Sequence, residues 1–320
     1  MRNTPYDFLI IGAGPAGLQL AYFLAQRQHD YLVLAATDHA GAFFGHYPRH
    51  RKLISINKVH TGTEDEDVNL RFDWNSLLCD DERLRFRHYS QDYFPDPVTL
   101  QHHLADFAAR YQLNIRYNTR VVNIACQGEL FRVRDTHGQQ CMGRRLIVAT
   151  GLWTPYIPDI PGAELCENYT TCSVDPQDFV NQRVLIVGKG NSAFETAENL
   201  TGTAATIHLC SPHAVTLAWQ THFVGNVRAI NSHFIDTYQC AGSLLCRHAD
   251  AGVRLQADDV RVYPWVSAQC SGPGVPIRGK ILPPAMARCA SRADAAGDAA
   301  ENHAAPEPGA ELIPPTRLLV

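Results

Sequence analysis

The chain has 320 residues, of which 45% are hydrophobic and 19% are charged, and its formal net charge is −4. That length is enough for a sizeable core and about two domains. The mild acidity gives no reason to expect nucleic acid or an anionic membrane as a partner. The first residues lack the pattern of a signal peptide, and the apolar run at 8–11 is too short to span a bilayer. We therefore expect a cytoplasmic protein that acts on small molecules, in an oligomeric state that composition leaves open.

The first segment of the chain predicts a strand, a tight turn and a helix. Phe8–Ile11 is a short apolar run of the kind buried in a parallel sheet. Apolar residues at helical spacing follow the turn: Leu18, Ala21, Tyr22 and Ala25. A second strand is predicted at Tyr31–Leu34, so this segment is the start of a βαβ unit.

Residues 41–97 show no clear period, and such a stretch is usually functional or holds short elements. A helix is predicted from about Val98 to Tyr111, with apolar residues on one face. Strands are then predicted near residues 114–117, 120–125, 130–134 and 145–149.

The strand, glycine turn and helix pattern recurs at residues 183–200, and Thr206–Cys210 predicts the strand after it. Beyond residue 239 the character changes, and residues 270–320 are rich in proline and alanine without a sustained period, which favours disorder. The predicted fold is α/β, with two Rossmann-like dinucleotide-binding domains at 1–158 and 159–239. Residues 240–320 are predicted to form a divergent tail, disordered or truncated.

The first turn fits G-x-G-x-x-G, with Gly12, Gly14 and Gly17 around Pro15 and Ala16. The first glycine permits the tight turn, the second lets the backbone approach a pyrophosphate, and the third allows close helix–strand packing. The helix N-terminus adds free N–H groups and partial positive charge. We interpret these five residues as a dinucleotide-binding turn; the alternative is a glycine turn without a ligand.

One element of this pattern is missing at the end of the second strand. An acidic residue normally stands there and binds the ribose hydroxyls. Ala35 occupies that position in this chain. Asp38 is the nearest acidic residue, and it either replaces the missing carboxylate or is a solvated loop residue.

The segment Ala149-Thr150-Gly151 directly follows the strand predicted at 145–149. A glycine here would let the chain pass close to a cofactor. Prolines at 155, 158 and 161 would stiffen the connection that follows. We therefore predict Thr150 and Gly151 as cofactor-binding residues.

The second turn contains Gly188, Gly190, Asn191 and Ser192, with Ala193 in place of a third glycine. This pattern suits a nicotinamide cofactor, and these four residues are predicted to bind it. NADPH would need a basic group near the end of the following strand. His213 lies there without an arginine, and it either clasps the phosphate or is solvated. NADPH is favoured, with NADH possible.

No metal site is predicted. The 10 cysteines are scattered without a C-x-x-C pair, so neither a zinc site nor a redox dithiol is indicated. His102 and His103 are adjacent, which does not suit ligation from one helix face. We expect one of these two side chains to be solvated and the other half-buried.

Together these features resemble the flavin-containing monooxygenase-like group of FAD/NAD(P)-binding flavoproteins. The strings ATGLWTPYIPDIPG (149–162) and GKGNSAFE (188–195) carry this resemblance. Longer strings, among them YPRHRKLISINK (47–58) and VDPQDFV (174–180), are similar to a subgroup of FAD-dependent oxidoreductases with bacterial members. The resemblance spans residues 6–239. It implies FAD in the first domain, NAD(P)H in the second, and hydride transfer between them, with electrons passed to dioxygen, as in a monooxygenase, or to another acceptor.

The resemblance also places Asn57 near the isoalloxazine ring, with hydrogen bonding of its own loop as the alternative. The chain departs from the group at 166–172, where a histidine signature is expected and absent, and beyond residue 239, where no return to the flavin domain is found. We expect a truncated or frame-shifted product. A flavin-binding remnant with little turnover, acting by binding a partner, is therefore the second hypothesis. A disulfide reductase is the third hypothesis, and it is disfavoured because the sequence has no C-x-x-C pair.

Overall fold

The computed structural model describes residues 4–152, 157, 163–211, 214–233, 244–248 and 316–319. Its contacts divide the chain into two units, Met1–Thr154 and Pro155–Val320. The division falls near the predicted boundary at residue 158, which itself lies outside the described residues.

The first unit is built on a mixed six-stranded sheet with the order β3-β2-β1-β6-β5-β4. Its strands are β1 (Tyr6–Ile11), β2 (Tyr31–Leu34), β3 (Ile115–Arg116), β4 (Val121–Gln127), β5 (Leu130–Asp135) and β6 (Gln140–Val148). The pairs β1–β2, β1–β6 and β2–β3 are parallel, whereas β4–β5 and β5–β6 are antiparallel. The parallel strands end at one edge of the sheet, which is where ligands bind in open α/β folds.

Burial follows from the apolar runs. Leu9, Ile10 and Val33 are fully buried in β1 and β2, because central parallel strands are covered on both faces. In β4, by contrast, the apolar residues Val122 and Ile124 are exposed. The antiparallel part of the sheet is therefore less covered than the parallel part within this unit.

The helices of the first unit are α1 (Pro15–Gln26), α2 (Phe43–His46), α3 (Glu66–Leu70) and α4 (Pro97–Arg110), with 3₁₀ turns at Glu82–Leu84 and Phe86–His88. Of the two longer helices, α1 packs against β1 and β2, and α4 packs against α1. Helix α4 begins where the Asp96 side chain accepts a 2.7 Å hydrogen bond from the Val98 amide, with Pro97 at its first position. Leu18 of α1 joins Leu104 and Phe107 of α4 in one buried core.

The second unit contains a parallel sheet with the order β10-β7-β8-β9. Its strands are β7 (Arg183–Val187), β8 (Thr206–Ser211), β9 (Leu244–His248) and β10 (Thr316–Leu319). Its helices are α5 (Asn191–Leu200), α6 (Ala218–Thr221) and α7 (Ala229–Ser232), with 3₁₀ turns at Ala163–Leu165 and Pro176–Phe179. Phe179, Phe194 and Leu209 are fully buried in its core.

The predicted strands and helices are present, and their ends differ from the prediction by one or two residues except in β6, which begins five residues earlier than predicted. The expectation of a tail without regular structure does not hold at β9 and β10, which pair in register with β8 and β7. The rest of residues 240–320 lies outside the described residues. His103 is fully buried rather than half-buried, because it packs among the rings of Phe86, Tyr89 and Phe107, and that expectation was wrong.

The described residues contain neither a membrane-spanning helix nor a metal-binding cluster. No helix there combines the length and apolarity needed to cross a bilayer. No group of three or more His, Cys, Asp and Glu side chains there is arranged to hold a metal ion.

Candidate dinucleotide-binding sites

The first glycine turn is closely packed against the backbone around it at Gly12 and Gly17. Gly12 has φ +114°, and a Cβ there would lie 2.3 Å from the carbonyl oxygen of Ala149. A Cβ on Gly17 would lie 2.0 Å from the carbonyl oxygen of Gly12. Both positions exclude a side chain, because the backbone directly after β6 lies against Gly12 and the carbonyl of Gly12 lies against α1 at Gly17.

Gly14 differs from these two glycines, because a Cβ there would meet nothing within 4 Å. It is the N-cap of α1, no side chain caps the helix, and no acidic residue occupies its first turn. The amides of a first helical turn have no acceptor within the helix and carry partial positive charge. The space in front of Gly14 therefore suits an anion such as a pyrophosphate.

A cavity of about 500 Å³ lies at this turn. Its wall includes the predicted residues Gly12, Gly14, Pro15, Ala16, Thr150 and Gly151. The other residues of the wall are Ile11, Ala13, Leu34, Ala35, Ala36, Thr37, His39, Gly41, Ala42, Phe43, Phe44, Thr119, Arg120, Val121, Ala149 and Leu152. This wall contains no carboxylate, which favours an anionic ligand. Gly17 is not part of it and acts through packing.

Asp38, the predicted substitute for the ribose acid, does not line this cavity. Its side chain is 75% exposed, and one carboxylate oxygen lies 2.5 Å from Nδ1 of His39. That hydrogen bond lowers the pKa of Asp38 below its usual value. Cofactor binding by Asp38 stays a prediction without a contact in its favour.

Four polar residues of the cavity wall were not predicted from the sequence: Thr37, His39, Thr119 and Arg120. The Thr119 amide donates a 2.7 Å hydrogen bond to the carbonyl of Ala35, which brings residues 119 and 120 beside the end of β2. The carboxyl ends of adjacent parallel strands share one edge. The strand predicted at 114–117 was therefore the signal that could have found Arg120.

Asn57 is 1% exposed and is bonded to its own region of the first unit. Its Nδ2 donates to the carbonyl oxygens of Ser90 at 2.8 Å and Asp92 at 3.0 Å. These bonds fix the 90–92 segment, and Asn57 is not part of the cavity wall. These hydrogen bonds agree with the alternative that Asn57 holds its loop in place. Contact between Asn57 and a flavin stays a prediction.

The second glycine turn has a similar backbone. Gly188 has φ +134°, and Gly190 is the N-cap of α5, with neither a capping side chain nor an acidic first turn. A Cβ on Gly190 would meet nothing within 4 Å. A cavity of about 390 Å³ lies here, and its wall is formed by Tyr169, Cys172, Ile186, Val187, Gly188, Gly190, Asn191, Ser192, Ala193, Thr196 and Gly225.

The side chain of Asn191 is occupied by a neighbouring loop. Its Nδ2 donates to the Asn226 carbonyl at 2.9 Å, and its Oδ1 accepts from the Arg228 amide and from Nδ2 of Asn231, both at 2.9 Å. Asn191 therefore fixes the loop beside the turn. Nicotinamide binding by Asn191 and Ser192 stays a prediction, and His213 and the prolines at 155, 158 and 161 lie outside the described residues.

Comparison with known proteins gives a family match and close relatives. The family described as pyridine nucleotide-disulphide oxidoreductase matches residues 9–262. The mouse protein named FAD-dependent oxidoreductase domain-containing protein 2 is 52% identical over 240 residues, which cover 73% of this chain and 36% of that protein. The zebrafish protein of the same name is 46% identical over 74% of this chain and 35% of its own length. The resemblance inferred from the sequence is thereby confirmed, although the chain spans little more than a third of these relatives.

Solved structures show the same fold at low identity. A flavin-containing monooxygenase from Stenotrophomonas maltophilia matches with a TM-score of 0.62 and 22% identity, over 80% of this chain and 73% of that one. A bacillithiol disulfide reductase from Staphylococcus aureus matches with a TM-score of 0.60 and 17% identity, over 80% and 72%. The chain therefore has an α/β fold of the FAD/NAD(P)-binding oxidoreductase type with a mixed sheet.

Proposed function

The chain belongs to the pyridine nucleotide-disulphide oxidoreductase family, and we propose that it is a FAD-dependent oxidoreductase that accepts reducing equivalents from NAD(P)H. One observation carries this proposal. The first cavity has no carboxylate in its wall, and it lies at Gly14, on an uncapped helix N-terminus with free space in front of it. That combination fits the pyrophosphate of a dinucleotide.

The residues of the first unit divide the work of holding FAD. Gly14 and the first amides of α1 would bind the pyrophosphate, and Thr150 and Gly151 form the wall at the end of β6. Ile11, Leu34 and Phe44 make part of the wall apolar, which excludes water from the ligand. When bound, the flavin supplies the redox chemistry by accepting a hydride and passing electrons to an acceptor.

In the second unit we propose NAD(P)H at the Gly188–Ser192 turn, where Gly190 leaves the helix N-terminus open. This assignment corresponds to a FAD-binding domain at 1–158 and an NAD(P)-binding domain at 159–239. Dioxygen is the acceptor we favour, because one relative of this fold is named a flavin-containing monooxygenase. The bacillithiol disulfide reductase makes a disulfide the competing acceptor, although no C-x-x-C pair occurs in this sequence.

The proposal is tested on the purified chain by visible absorbance before and after addition of FAD. Anaerobic NADPH should then bleach the bound flavin, and admission of dioxygen should restore the colour, with peroxide and product assayed in the same cuvette. Absence of flavin binding would contradict the proposal. Colour without bleaching would leave the flavin-binding remnant as the function.

A matched pair of glycine variants makes the test specific. Gly190→Val places a side chain into the second cavity, whereas Gly202 has open space around it and lines neither cavity. We expect Gly190→Val to keep the flavin colour and lose bleaching by NADPH, and Gly202→Val to keep both. Equal bleaching in the two variants would place the reductant elsewhere.

A further inference from the structure

One edge of the sheet in the first unit is open. Strand β4 stands at the end of the strand order and pairs with β5 alone among the described strands. An open edge presents unpaired amides and carbonyls, and proteins usually protect it with lysine, proline, a bulge or a short strand. A register shift between Val121 and Asn123 interrupts the start of β4. Residues 123–127, which follow, are Asn, Ile, Ala, Cys and Gln, so this part of the edge has neither a charge nor a proline.

The backbone groups of Ile124 and Cys126 point away from the sheet. A two-residue turn between Gln127 and Leu130 joins β4 to β5, and the pair that closes such a turn is hydrogen-bonded. Hydrogen-bonded and non-hydrogen-bonded pairs alternate along an antiparallel ladder. Gln127 and Ala125 therefore bond to β5, whereas the amides and carbonyls of Ile124 and Cys126 face the open side.

The side chains of the same two residues are also uncovered. Ile124 opposes Val133 of β5, so these two side chains lie on the same face of the sheet. Val133 is 2% exposed, whereas Ile124 is 44% exposed. Cys126 points to the same face as Ile124 and is exposed as well. The buried face of the sheet therefore continues past β5 to an edge that the described part of the chain leaves open to solvent.

We propose that β4 pairs in antiparallel register with β4 of a second copy of this chain, across a twofold axis at Ala125. A twofold axis perpendicular to the sheet keeps every residue on its own face, so the register must be centred on a residue. With the axis at Ala125, Ile124 opposes Cys126 of the second copy, and each such pair exchanges two hydrogen bonds. The uncovered side chains then cover one another. An axis at Ile124 would instead require Val122, which lies at the register shift.

The charges at the two ends of β4 favour an antiparallel copy as the partner. Arg120 precedes the strand, Glu129 follows it, and both are exposed. Antiparallel pairing brings the arginine end of each strand beside the glutamate end of the other, whereas parallel pairing would bring like charges together. The opposite edge, β3, has only 2 residues, so this sheet offers one long edge and the assembly closes as a dimer. Residues 123–127 lie outside the walls of both dinucleotide cavities, so the inference does not depend on the proposed function.

Disulfide trapping in a Cys126→Ser background tests the register. At the axis, the two Ala125 Cα atoms form a non-hydrogen-bonded pair about 4.5 Å apart, within reach of a disulfide. We expect Ala125→Cys to give about tenfold more covalent dimer than the background variant when diamide oxidises the two thiols. Asn123→Cys is the matched control, because residue 123 lies on the same face and is more exposed, yet is about 13 Å from its copy in this register. Equal yields from the two cysteine variants would contradict the proposal.

Sedimentation of the unsubstituted chain at increasing concentration measures the association without a cross-link. We expect a monomer–dimer equilibrium with a Kd on the order of 10 µM, since an interface of one strand edge is small. Ile124→Lys should weaken it about tenfold or more, because it places a charge in the paired edge. Val180→Lys is the control, since Val180 is 46% exposed and lies outside β4. A chain that stays monomeric, or one whose association is equally sensitive to both lysines, would overturn the proposal.

Discussion

The two glycine turns of this chain have nearly the same backbone and different supports. Their N-cap glycines, Gly14 and Gly190, have φ of −85° and −89° with ψ of −176° in both. In the first turn α1 packs so closely that Gly17 leaves no room for a side chain. The second turn has Ala193 at the corresponding place, and hydrogen bonds from Asn191 to the neighbouring loop hold it.

This difference shows which part of a glycine motif depends on packing and which part depends on the ligand. The open space at Gly14 and Gly190 is common to both turns and faces the cavities. The requirement for a third glycine arises only where helix and strand are pressed together. Substitutions at corresponding positions of the two turns can therefore separate folding from binding.

The largest expected effect is at the third position of the motif. A Cβ at Gly17 would lie 2.0 Å from the Gly12 carbonyl, so Gly17→Ala must displace α1 from β1. We expect it to lower the free energy of unfolding of the first unit by about 3 kcal/mol or more. The converse change, Ala193→Gly, should cost only about 1 kcal/mol of helix propensity. Chemical denaturation followed by circular dichroism measures both, and equal costs would contradict the difference in packing.

A second difference lies in the cores, since the first unit buries His103. Burial lowers the pKa of His103 to about 4, below the value of 6.5 for an exposed histidine. The unfolded chain therefore binds an extra proton between these values, and stability falls as the pH is lowered from 6.5 towards 4, by up to about 3 kcal/mol.

The variant His103→Leu should reduce this acid sensitivity of the free energy of unfolding by about 1.4 kcal/mol per pH unit inside that window. Some slope should remain, because burial, with Arg49 and Lys52 nearby, lowers the pKa of His50 to about 4 as well. His102→Leu is the control, since His102 is exposed. Denaturation midpoints at a series of pH values give the slopes, and identical slopes for His103→Leu and the unsubstituted chain would show that His103 is not held neutral.

The side support of the second turn gives the smallest of these effects on stability. Asn191→Leu removes three hydrogen bonds and leaves the Asn226 carbonyl and the Arg228 amide without that partner. We expect a loss of about 2 kcal/mol, confined to the second unit. Ser192→Ala, at the next residue, should be nearly neutral. Hydrogen exchange at residues 226–231 reads out the loop directly, and unchanged protection in Asn191→Leu would mean that another contact holds it.

The sequence predicted the central strands well because their apolar runs are buried on both faces. Strand β2 was predicted at the residues it occupies, Tyr31–Leu34. Strand β6 begins at Gln140, five positions before the predicted start, because its first residues are polar or half-exposed and show no apolar run. Helices α2 and α3 were missed for a related reason, since helices of four and five residues are too short for a 3.6-residue period to appear.

Residues of the candidate sites could be predicted only where the signal lies within one short segment of the sequence. Glycine spacing is local, so Gly12, Gly14, Gly188 and Gly190 could be identified from the sequence. Arg120 and His39 could not, because Arg120 reaches the end of β2 only through strand pairing between distant segments. Asp38 was chosen for its position in the sequence, and its side chain is directed to His39.

The central claim is that a dinucleotide lies against the open face of Gly14. Equilibrium binding of FAD to the apoproteins of Gly14→Val and Gly190→Val tests it most directly, because each substitution fills open space without a backbone clash. We predict that Gly14→Val weakens FAD binding on the order of 100-fold, which corresponds to about 3 kcal/mol, while Gly190→Val leaves it unchanged. Undiminished FAD binding in a folded Gly14→Val protein would contradict the account.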